Sequence, residues 1–417
     1  MTQHEDSGAR SVPMEQVPMD FKEDGAADPY ENYAEMRREC PVARVRKRDG
    51  LRPCLITRYA DAKAALLDPR LSKDPQNARD ELRAAGLEKV YLEGEATLAD
   101  NMLFIDPPDH TRLRRLVAGK FTARRTAELG PRIQEITDEL IDAMVPAGRA
   151  DFIADFAVRL PVLVIAELLG LPAEDREMFR LWSQEALRPQ HDVHQAALWA
   201  LSLYVTEIVA HKRIEPGDDL ISAMIEGRDG DLLTESELLG SIRLLIIAGH
   251  ETTVNLLGNG MLALLRDPAQ ADVLRERSEL IPGAVEEFLR YDSPVERATA
   301  RYAAEDVRIG ETFIPRGSVV YVALGSANRD SEEFPEADRM DVTRAPSGHL
   351  AFGHGLHFCL GAPLARLETR IAFETLLRRL PKIELDAPEE SLIYQQSVVM
   401  RGLTELPIRF QAAESTS

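Results

Sequence analysis

The spacing of apolar and polar residues predicts mostly helices up to about Ala298. Helical patterns cover residues 28–40 and 59–68, where apolar side chains recur every three or four positions. A longer helical region runs from 109 to about 212 and is divided by proline and glycine into several segments. The first two thirds of the chain are therefore expected to form a helical body.

One helix is predicted to be much longer than the others, over residues 233–268. Thr234 and Glu237 form a capping-box pattern at its start, and Pro268 disfavours helix in the residue before it. Residues 244–248 are apolar on every face, which is typical of a buried helix. About 30 residues at 1.5 Å each span about 45 Å, enough to cross a whole domain.

Short alternating runs indicate a smaller β-rich part. Residues 42–48 and 52–59 read as strands of a hairpin, and residues 301–325 read as several small strands. A last helix is predicted from about 362 to 380, whereas the charged stretch 74–108 is predicted to be irregular. The expected fold class is mainly α with a small β-rich part.

Composition narrows the classes of function. The 417 residues carry a formal net charge of −20, which argues against a nucleic-acid partner. No stretch is apolar enough to span a membrane, and the first residues lack the apolar core of a secretory signal. Three cysteines are too few for a disulfide framework, so a cytoplasmic location is expected. Residues 1–25 and 412–417 read as disordered tails around one folded unit, 26–411.

The segment FGHGLHFCLG, residues 352–361, places a thiol on a glycine-rich turn directly before the last helix. A helix N-terminus stabilises a thiolate, and glycines let the backbone approach a flat partner. His357 and Cys359 could form half of a zinc site, but no second pair completes it. The glycines do not fit a dinucleotide loop, and a buried structural cysteine would not explain them. A haem with one thiolate ligand fits best.

A second unusual segment, 249–253, interrupts the apolar surface of the long helix with Gly-His-Glu-Thr-Thr. Glu251 could be a solvated surface residue, but its apolar neighbours argue against this. The zinc-protease pattern H-E-x-x-H fails because its fifth position is Val254. The remaining interpretation is a local opening of the helix beside a ligand, where an acid and an alcohol deliver protons.

These segments resemble the motifs of the cytochrome P450 haem-thiolate monooxygenases. The loop 352–361 is similar to the family's cysteine signature F-G-x-G-x-H-x-C-x-G, and AGHETT at 248–253 is similar to its oxygen-binding motif. Glu287 and Arg290 match the E-x-x-R pair, and Arg339 matches the arginine that follows it. The order and spacing of the four motifs agree with the family. The resemblance implies the cytochrome P450 fold.

The resemblance, which covers roughly Asp28 to Phe410, also implies roles for single residues. Cys359 would be the ligand of the iron of haem b, and Thr252 would hold water and oxygen while Glu251 relays protons. The further residues expected to bind the cofactor are His110, Arg114, Ala248, Gly249, Arg301, Phe352, Gly353 and His357. Those expected to form a buried structural charge network are Glu287, Arg290 and Arg339.

The resemblance further implies that electrons come from NAD(P)H through a ferredoxin and its reductase, because the chain contains no flavin or nicotinamide motif. Arg112 and Arg366 could dock an acidic ferredoxin, although solvated surface charge explains them equally well. A monomer is expected.

The substrate implied by the resemblance is a bulky natural product such as a macrolide or polyketide, hydroxylated or epoxidised with one atom of O₂. Glu95 in the acidic loop could attract an amino sugar, and the expected apolar wall residues are Phe104, Ala248, Val295 and Val399. A hydroxylase of foreign compounds, a peroxygenase and a haem-thiolate sensor or carrier without turnover are the alternatives.

Overall fold

The computed structural model of the chain describes most of the predicted folded unit. The described residues are 28–47, 50–88, 92, 101–119, 121, 123–185, 191–226, 233–345 and 348–412. The two predicted tails, apart from Ala412, lie outside these ranges, and so does Glu95.

Helices form most of the described chain. They are α1 (Tyr30–Glu39), α2 (Tyr59–Leu67), α3 (Arg79–Ala84), α4 (Asp109–Ala118), α5 (Ala123–Glu128), α6 (Gly130–Met144), α7 (Arg159–Leu169), α8 (Arg176–Glu185), α9 (His191–Ile214), α10 (Leu220–Glu226), α11 (Glu235–Arg266), α12 (Pro268–Glu276), α13 (Ile281–Tyr291), α14 (Leu324–Ala327) and α15 (Ala362–Arg379). The prediction of a mainly α fold is confirmed. Among these helices, none combines the length and the apolar character needed to cross a bilayer.

The strands are short and belong to three small sheets. They are β1 (Val42–Arg44), β2 (Cys54–Ile56), β3 (Leu71–Ser72), β4 (Arg149–Asp151), β5 (Arg301–Ala303), β6 (Val307–Ile309), β7 (Thr312–Ile314), β8 (Val319–Val322), β9 (Lys382–Leu385) and β10 (Pro407–Gln411). The largest sheet has the order β1-β2-β8-β5-β3, in which β2 and β8 are parallel and the other pairs antiparallel. Strand β10 lies between β4 and β9, and β6 pairs with β7.

The stretch 74–108 differs from the irregular structure predicted for it. Asp74 accepts a hydrogen bond from the backbone N–H of Gln76 and caps a 3₁₀ turn, Pro75–Ala78, which leads into α3. Leu82 on α3 is fully buried, so packing supports this short helix. The sequence analysis missed this helix because most of its residues are charged and its apolar face consists of few residues.

The long helix α11 begins and ends as the sequence predicts. The Thr234 hydroxyl accepts from the Glu237 backbone N–H, and the Glu237 carboxylate accepts from the Thr234 backbone N–H, which completes a capping box. The helix packs against α7, α9 and α13 and is buried along most of its length. Residues 248–252 remain helical. The predicted local opening of the helix is therefore wrong.

Glu287 and Arg290, one turn apart on α13, form a buried ion pair. The Glu287 carboxylate accepts from Arg290 Nε at 2.7 Å and from Nη2 at 2.8 Å. Arg290 Nη1 donates to the backbone carbonyls of Asn328 at 2.9 Å and Ala337 at 2.8 Å. A second cation, Arg344, donates to Glu287 at 3.2 Å. This network ties α13 to the segment that precedes the cysteine loop.

Arg339 was predicted to contribute its charge to this network, and that prediction is wrong. Its side chain is 62 % exposed and pairs with Glu336 at the surface. The backbone carbonyl of Arg339, not its guanidinium, accepts from Arg290 Nη2 at 3.2 Å. A turn closed by the bond from the Arg339 N–H to the Glu336 carbonyl directs the side chain outward, and Arg344 takes its place.

Replacing Arg290 with Met should lower the free energy of unfolding by about 3 to 5 kcal/mol, because the Glu287 carboxylate loses its closest partner in a buried site. Thermal unfolding followed by circular dichroism measures the loss. Arg339→Met is the control and should change the stability by less than about 0.5 kcal/mol. Equal losses in both variants would contradict the assignment of Arg344, rather than Arg339, to the network.

Candidate active site

The cysteine loop is a tight turn that ends at the start of α15. Gly353 and Gly355 have φ angles of 71° and 72°, a region that residues with a side chain rarely adopt. The Cys359 N–H donates to the Phe352 carbonyl at 2.8 Å and closes the loop. Cys359 thereby stands three residues before Ala362, the first residue of α15, and it is exposed to a cavity whose wall it helps to form.

Opposing effects act on the Cys359 thiol. Burial raises its pKa, whereas the N–H groups of Gly361 and Ala362 and the charges of Arg114 and Arg366 lower it. Burial is the larger effect, so the pKa of the thiol lies above its usual value. A metal ion at the sulfur would reverse this shift, because a coordinating thiol is deprotonated outright. Within the described residues, no three His, Cys, Asp or Glu side chains converge on a metal, so a metal here would have one protein thiolate.

The same cavity collects many of the predicted site residues. Those that line it are Arg114, Ala248, Gly249, Thr252, Val295, Arg301, Phe352, Gly353, His357, Cys359 and Val399. These residues come from α4, α11, β5, the cysteine loop and two loop segments, so the fold assembles the wall from distant parts of the sequence.

Basic side chains cluster at the cavity: Arg114, Arg301 and His357 line it, and His110 lies next to His357 without lining it. The His110 and His357 rings lie 4.4 Å apart, centre to centre. Arg114 Nη2 donates to the Phe358 carbonyl at 2.6 Å, and Arg301 Nη1 donates to the Leu71 carbonyl at 3.1 Å. These partners are neutral, and the nearby Asp106 carboxylate opposes the lowering of the Arg301 pKa by burial.

Two observations on the cluster indicate an anionic ligand. Burial and the cations Lys73, Arg301 and Arg114, together with His110, lower the pKa of His357 to about 3. Three buried nitrogen atoms, the two ring nitrogens of His110 and Nε of Arg301, have no hydrogen-bond partner within the described residues. Buried donors without partners are costly, and carboxylates would satisfy them.

Lys73 belongs to this cluster, although the sequence analysis did not single it out. Its ammonium group is buried and donates to the Thr299 hydroxyl at 2.6 Å, the Thr299 carbonyl at 3.0 Å and the Ala300 carbonyl at 3.1 Å. Burial and Arg301 lower its pKa well below the usual value, while Asp106 opposes them. Its place next to Asp74 resembles ordinary surface charge, so no local signal reveals it.

Across the cavity, α11 supplies Ala248, Gly249 and Thr252. The Thr252 hydroxyl donates to the Ala248 carbonyl at 3.1 Å. A side chain on Gly249 would lie 3.2 Å from Ile165 Cδ1, so this glycine also lets α7 pack closely. The Glu251 carboxylate, next to Thr252, is buried and is not part of the cavity wall that the structure describes.

His250 is a packed histidine. It is fully buried, and its Nδ1 lies 2.7 Å from the Ile246 carbonyl one turn earlier. Burial lowers its pKa, while Glu251 and the bond to Ile246 oppose the shift. The side chain therefore supports the helix and is not directed into the cavity.

The apolar wall differs in one place from the prediction. Val295 and Val399 line the cavity as expected, and the backbone N–H of Glu296 donates to the Val399 carbonyl at 2.8 Å. Phe104 does not line it; Met102 and Leu103 do. The turn in which the Phe104 N–H donates to the Asn101 carbonyl points consecutive side chains in different directions, which sequence alone did not show.

The sequence analysis also missed one buried acidic residue in the cavity wall. Glu368 on α15 lines the cavity, and burial raises its pKa to about 8. Its Oε2 lacks a hydrogen-bond partner within the described residues. Helical spacing could have revealed it, because Glu368 lies four and three residues after the wall residues Leu364 and Ala365.

Comparisons with known proteins agree with this geometry. The cytochrome P450 family matches residues 177–408 of the chain. Cytochrome P450 107B1 of Saccharopolyspora erythraea is 49 % identical over 93 % of this chain and 96 % of its own length. Mycinamicin IV hydroxylase/epoxidase of Micromonospora griseorubida is 43 % identical over 90 % of this chain and 94 % of its own. The tirandamycin C-bound P450 monooxygenase TamI, 42 % identical, superimposes with a TM-score of 0.85 over 92 % of this chain and 98 % of its own.

The chain belongs to the cytochrome P450 family. The predicted family and fold are thereby confirmed, and the activity class is monooxygenation with O₂ at a haem-thiolate iron. The residues of this chain fit such a cofactor: one thiol at a helix start, a glycine turn beside it, and a buried cluster of donors that suits the two haem carboxylates.

The cationic cluster should control how firmly a cytochrome P450 with this cavity holds haem. Arg301→Met should release haem to excess apomyoglobin about 10- to 100-fold faster, because a hydrogen bond to a charged group contributes about 1.5 to 3 kcal/mol. Arg308→Met on the neighbouring strand β6 is the control, since Arg308 is exposed and donates to the Glu311 carbonyl. Equal release rates would show that Arg301 does not bind the cofactor.

Proposed function

We propose that this cytochrome P450 inserts one oxygen atom into a C–H bond of a bulky apolar natural product, by hydroxylation or epoxidation. The observation that carries the proposal is the arrangement of Cys359 and Thr252, which line one cavity, Cys359 from the loop before α15 and Thr252 from α11. The mycinamicin IV hydroxylase/epoxidase and the tirandamycin C complex, both similar over nine tenths of the chain, support a substrate of the macrolide or polyketide kind.

Each part of the cavity would hold a different part of haem b. Cys359 would ligate the iron, with Phe352 and Gly353 against the ring, while His110, Arg114, Arg301 and His357 would bind the carboxylates. When bound, haem supplies the chemistry of O₂ activation, to which the thiolate contributes by pushing electron density toward the iron. Arg114 and Arg301 would neutralise the carboxylates through charge-assisted hydrogen bonds.

Glu251 and Thr252 would move protons from the surface to the reaction site. Thr252 projects its hydroxyl into the cavity and can hold a water or a proton at Oγ1. Its present partner, the Ala248 carbonyl one turn earlier, leaves the oxygen free to accept a second hydrogen bond. The neighbouring Glu251 carboxylate is buried and does not line the cavity, so it would reach Thr252 through water.

Electrons would reach this site from NAD(P)H through a ferredoxin and its reductase. The net charge of −20 limits where an acidic ferredoxin can dock, so basic residues around the cysteine loop matter. Arg112 and Arg366, predicted as docking residues, already pair with Glu237 and Glu286. Their charges are thus largely balanced by carboxylates of the same protein and contribute less to docking a ferredoxin.

The shape of the substrate follows from the wall opposite Cys359. Val295, Val399, Met400, Leu244 and Leu245 all line the cavity and present apolar side chains to it. Such a wall binds a large apolar ring system by excluding water. The acidic-loop hypothesis for Glu95 concerns residues outside the described ranges and stays a prediction.

A screen of ferric spin-state shifts would test the substrate class. We expect neutral macrolide aglycones to shift the spectrum, because the apolar wall does not require a charged group. Macrolides with and without an amino sugar should be compared on the wild type and on Glu95→Gln. If only the aminated compounds bind, and Glu95→Gln abolishes that binding, then charge on the acidic loop selects the substrate and the apolar wall does not. If no macrolide or polyketide shifts the spectrum, the proposed substrate class is wrong.

Replacing Thr252 with Ala should uncouple the reaction: NADPH consumption continues, but most of it yields peroxide because no hydroxyl holds the proton. The ratio of product to NADPH measures the effect. Thr252→Ser restores the hydroxyl and should restore coupling, while Glu251→Gln should slow turnover by about a hundredfold. Full coupling in Thr252→Ala would remove this residue from the mechanism.

A further inference from the structure

We propose that Asn259 is a positioning residue that holds one wall of the cavity at a fixed distance from Thr252 and thereby selects which substrate atom is oxidised. The wall segments that it holds are residues 292–297 and 395–402, which contribute Pro294, Val295, Val399 and Met400 to the cavity. This inference rests on the proposed function, because it assumes that the substrate lies between these segments and Thr252.

Asn259 lies on the side of α11 that faces the cavity, but it is set back from the cavity itself. It follows Leu256 by three positions and Thr252 by seven, and both of these residues line the cavity. Such spacing places the three side chains on one face of a helix. Asn259 is only 2 % exposed and is not part of the cavity wall that the structure describes. It therefore acts on a substrate through the residues that it holds.

The amide of Asn259 bridges the two wall segments. Its Nδ2 donates to the Asp292 carbonyl at 3.1 Å and to the Arg401 carbonyl at 3.0 Å. Asp292 comes two residues before Pro294, and Arg401 directly follows Met400. One side chain of α11 thus uses both of its N–H bonds to fix a point next to the apolar part of each segment.

The two wall segments are also bonded to each other. The Arg401 N–H donates to the Pro294 carbonyl at 2.8 Å, and the Arg297 N–H donates to the Val399 carbonyl at 3.2 Å. In addition, Arg401 Nε donates to Asp292 Oδ1 at 2.7 Å, in an ion pair whose side chains are both buried. A fully bonded buried network of this kind is rigid. A change in its distance from α11 would therefore move the wall residues together.

A glycine lets this unit approach α11 closely. One turn before Asn259, Asn255 Oδ1 accepts from Gln395 Nε2 at 3.3 Å, and the Gln395 backbone N–H donates to the Gly402 carbonyl at 2.8 Å. A side chain on Gly402 would lie only 1.9 Å from Asn255 Oδ1 and would push the segment away from the helix. The segment 395–402 is thus held against α11 at two successive turns.

The oxygen of the Asn259 amide indicates what this side chain does. Among the described residues, Asn259 Oδ1 has no hydrogen-bond partner, although it is buried. Burying an oxygen without a partner costs stability. The two bonds from Nδ2 offset this cost and, unlike apolar packing, fix the direction and the distance between the groups that they join. These properties suit a positioning role.

The distance between the wall segments and Thr252 determines how a substrate is presented. An apolar wall orients a substrate by its shape, because it offers few polar groups that would fix an orientation. A displacement of about 1 Å at a reaction site can change a rate by about a hundredfold. A small movement of the wall segments would therefore change which C–H bond is oxidised while the fold stays intact.

The test measures the shape of the cavity in haem-loaded protein with a probe that is not a substrate. Phenyldiazene places a phenyl group on the iron, and oxidation by ferricyanide then moves this group to the pyrrole nitrogens that the protein leaves accessible. The ratio of the N-phenylporphyrin isomers reports the free space above each ring. Asn259→Leu should change this ratio by about twofold, equal to about 0.4 kcal/mol, because the wall segments lose their bonds to α11.

The control is Thr137→Ala, a buried change on α6. The Thr137 hydroxyl donates to the Ile133 carbonyl at 2.7 Å, and no residue of α6 belongs to the described cavity wall. This variant should lower the temperature of thermal unfolding, as Asn259→Leu should, but leave the isomer ratio unchanged. Asn259→Ser keeps one donor and should change the ratio less than Asn259→Leu. It also decides the question if Asn259→Leu does not bind haem.

A double variant tests whether Asn259 acts through the wall segments. Val399→Ala enlarges the cavity and should change the isomer ratio of the wild type. In the Asn259→Leu background the same substitution should have a smaller effect, because the segment has already moved. An equal effect in both backgrounds would show that Asn259 acts on α11 alone and would overturn the inference.

The selection of the oxidised atom is tested with a neutral macrolide aglycone that shifts the ferric spectrum. Asn259→Leu should change the ratio of oxidised positions, whereas Thr137→Ala should not. An isomer ratio that is the same in the wild type and the Asn259 variants would overturn the positioning role, and so would an equal change in Thr137→Ala. A changed isomer ratio with unchanged positions of oxidation would overturn the role in selection.

Failure of the proposed function would look different. If haem-loaded wild-type protein lacks the red-shifted ferrous carbon-monoxide band, Cys359 is not the haem ligand and the proposed function is wrong. If the band is present and a macrolide is oxidised, but Asn259→Leu behaves like Thr137→Ala, only the inference on Asn259 is wrong.

Discussion

The charge of Cys359 depends on opposing effects of its surroundings. Burial opposes the thiolate, while the N–H groups at the start of α15 and the arginines Arg114 and Arg366 favour it. Burial prevails in this balance, and a metal cation at the sulfur would reverse it. The same need for charge balance applies to the rest of the cavity, because the carboxylates of a haem would satisfy the buried donors near Arg301.

The fold keeps these charged groups in an otherwise apolar interior by giving each a rigid support. The α13 pair of Glu287 and Arg290 holds the segment before the cysteine loop, and Glu286 on the same helix holds Arg366 beside the loop. One helix thus serves both the stability of the fold and the electrostatics of the site. On the opposite side, α11 is long and capped, so Thr252 is held near the middle of a stiff element.

Some of this arrangement could be predicted from neighbouring residues. The capping box at Thr234, the glycines around Cys359 and the helix that follows all depend on contacts within a few positions. The resemblance to a family then supplied expectations for residues far apart. It misplaced the side chain of Arg339, whose outward turn is a local detail of this chain, and it did not indicate Lys73 or Arg344.

The sequence by itself determined the helical class, the boundaries of α11 and α15, and a thiol at a helix start, because hydrogen bonds and apolar periodicity within a short segment decide them. Only the tertiary structure decided which charges meet. Arg366 reaches Glu286 across 80 positions, and Lys73 reaches Thr299 across 226. Such pairs leave no periodic signal, since their partners are chosen by the packing of whole elements and by the cost of burying a charge alone.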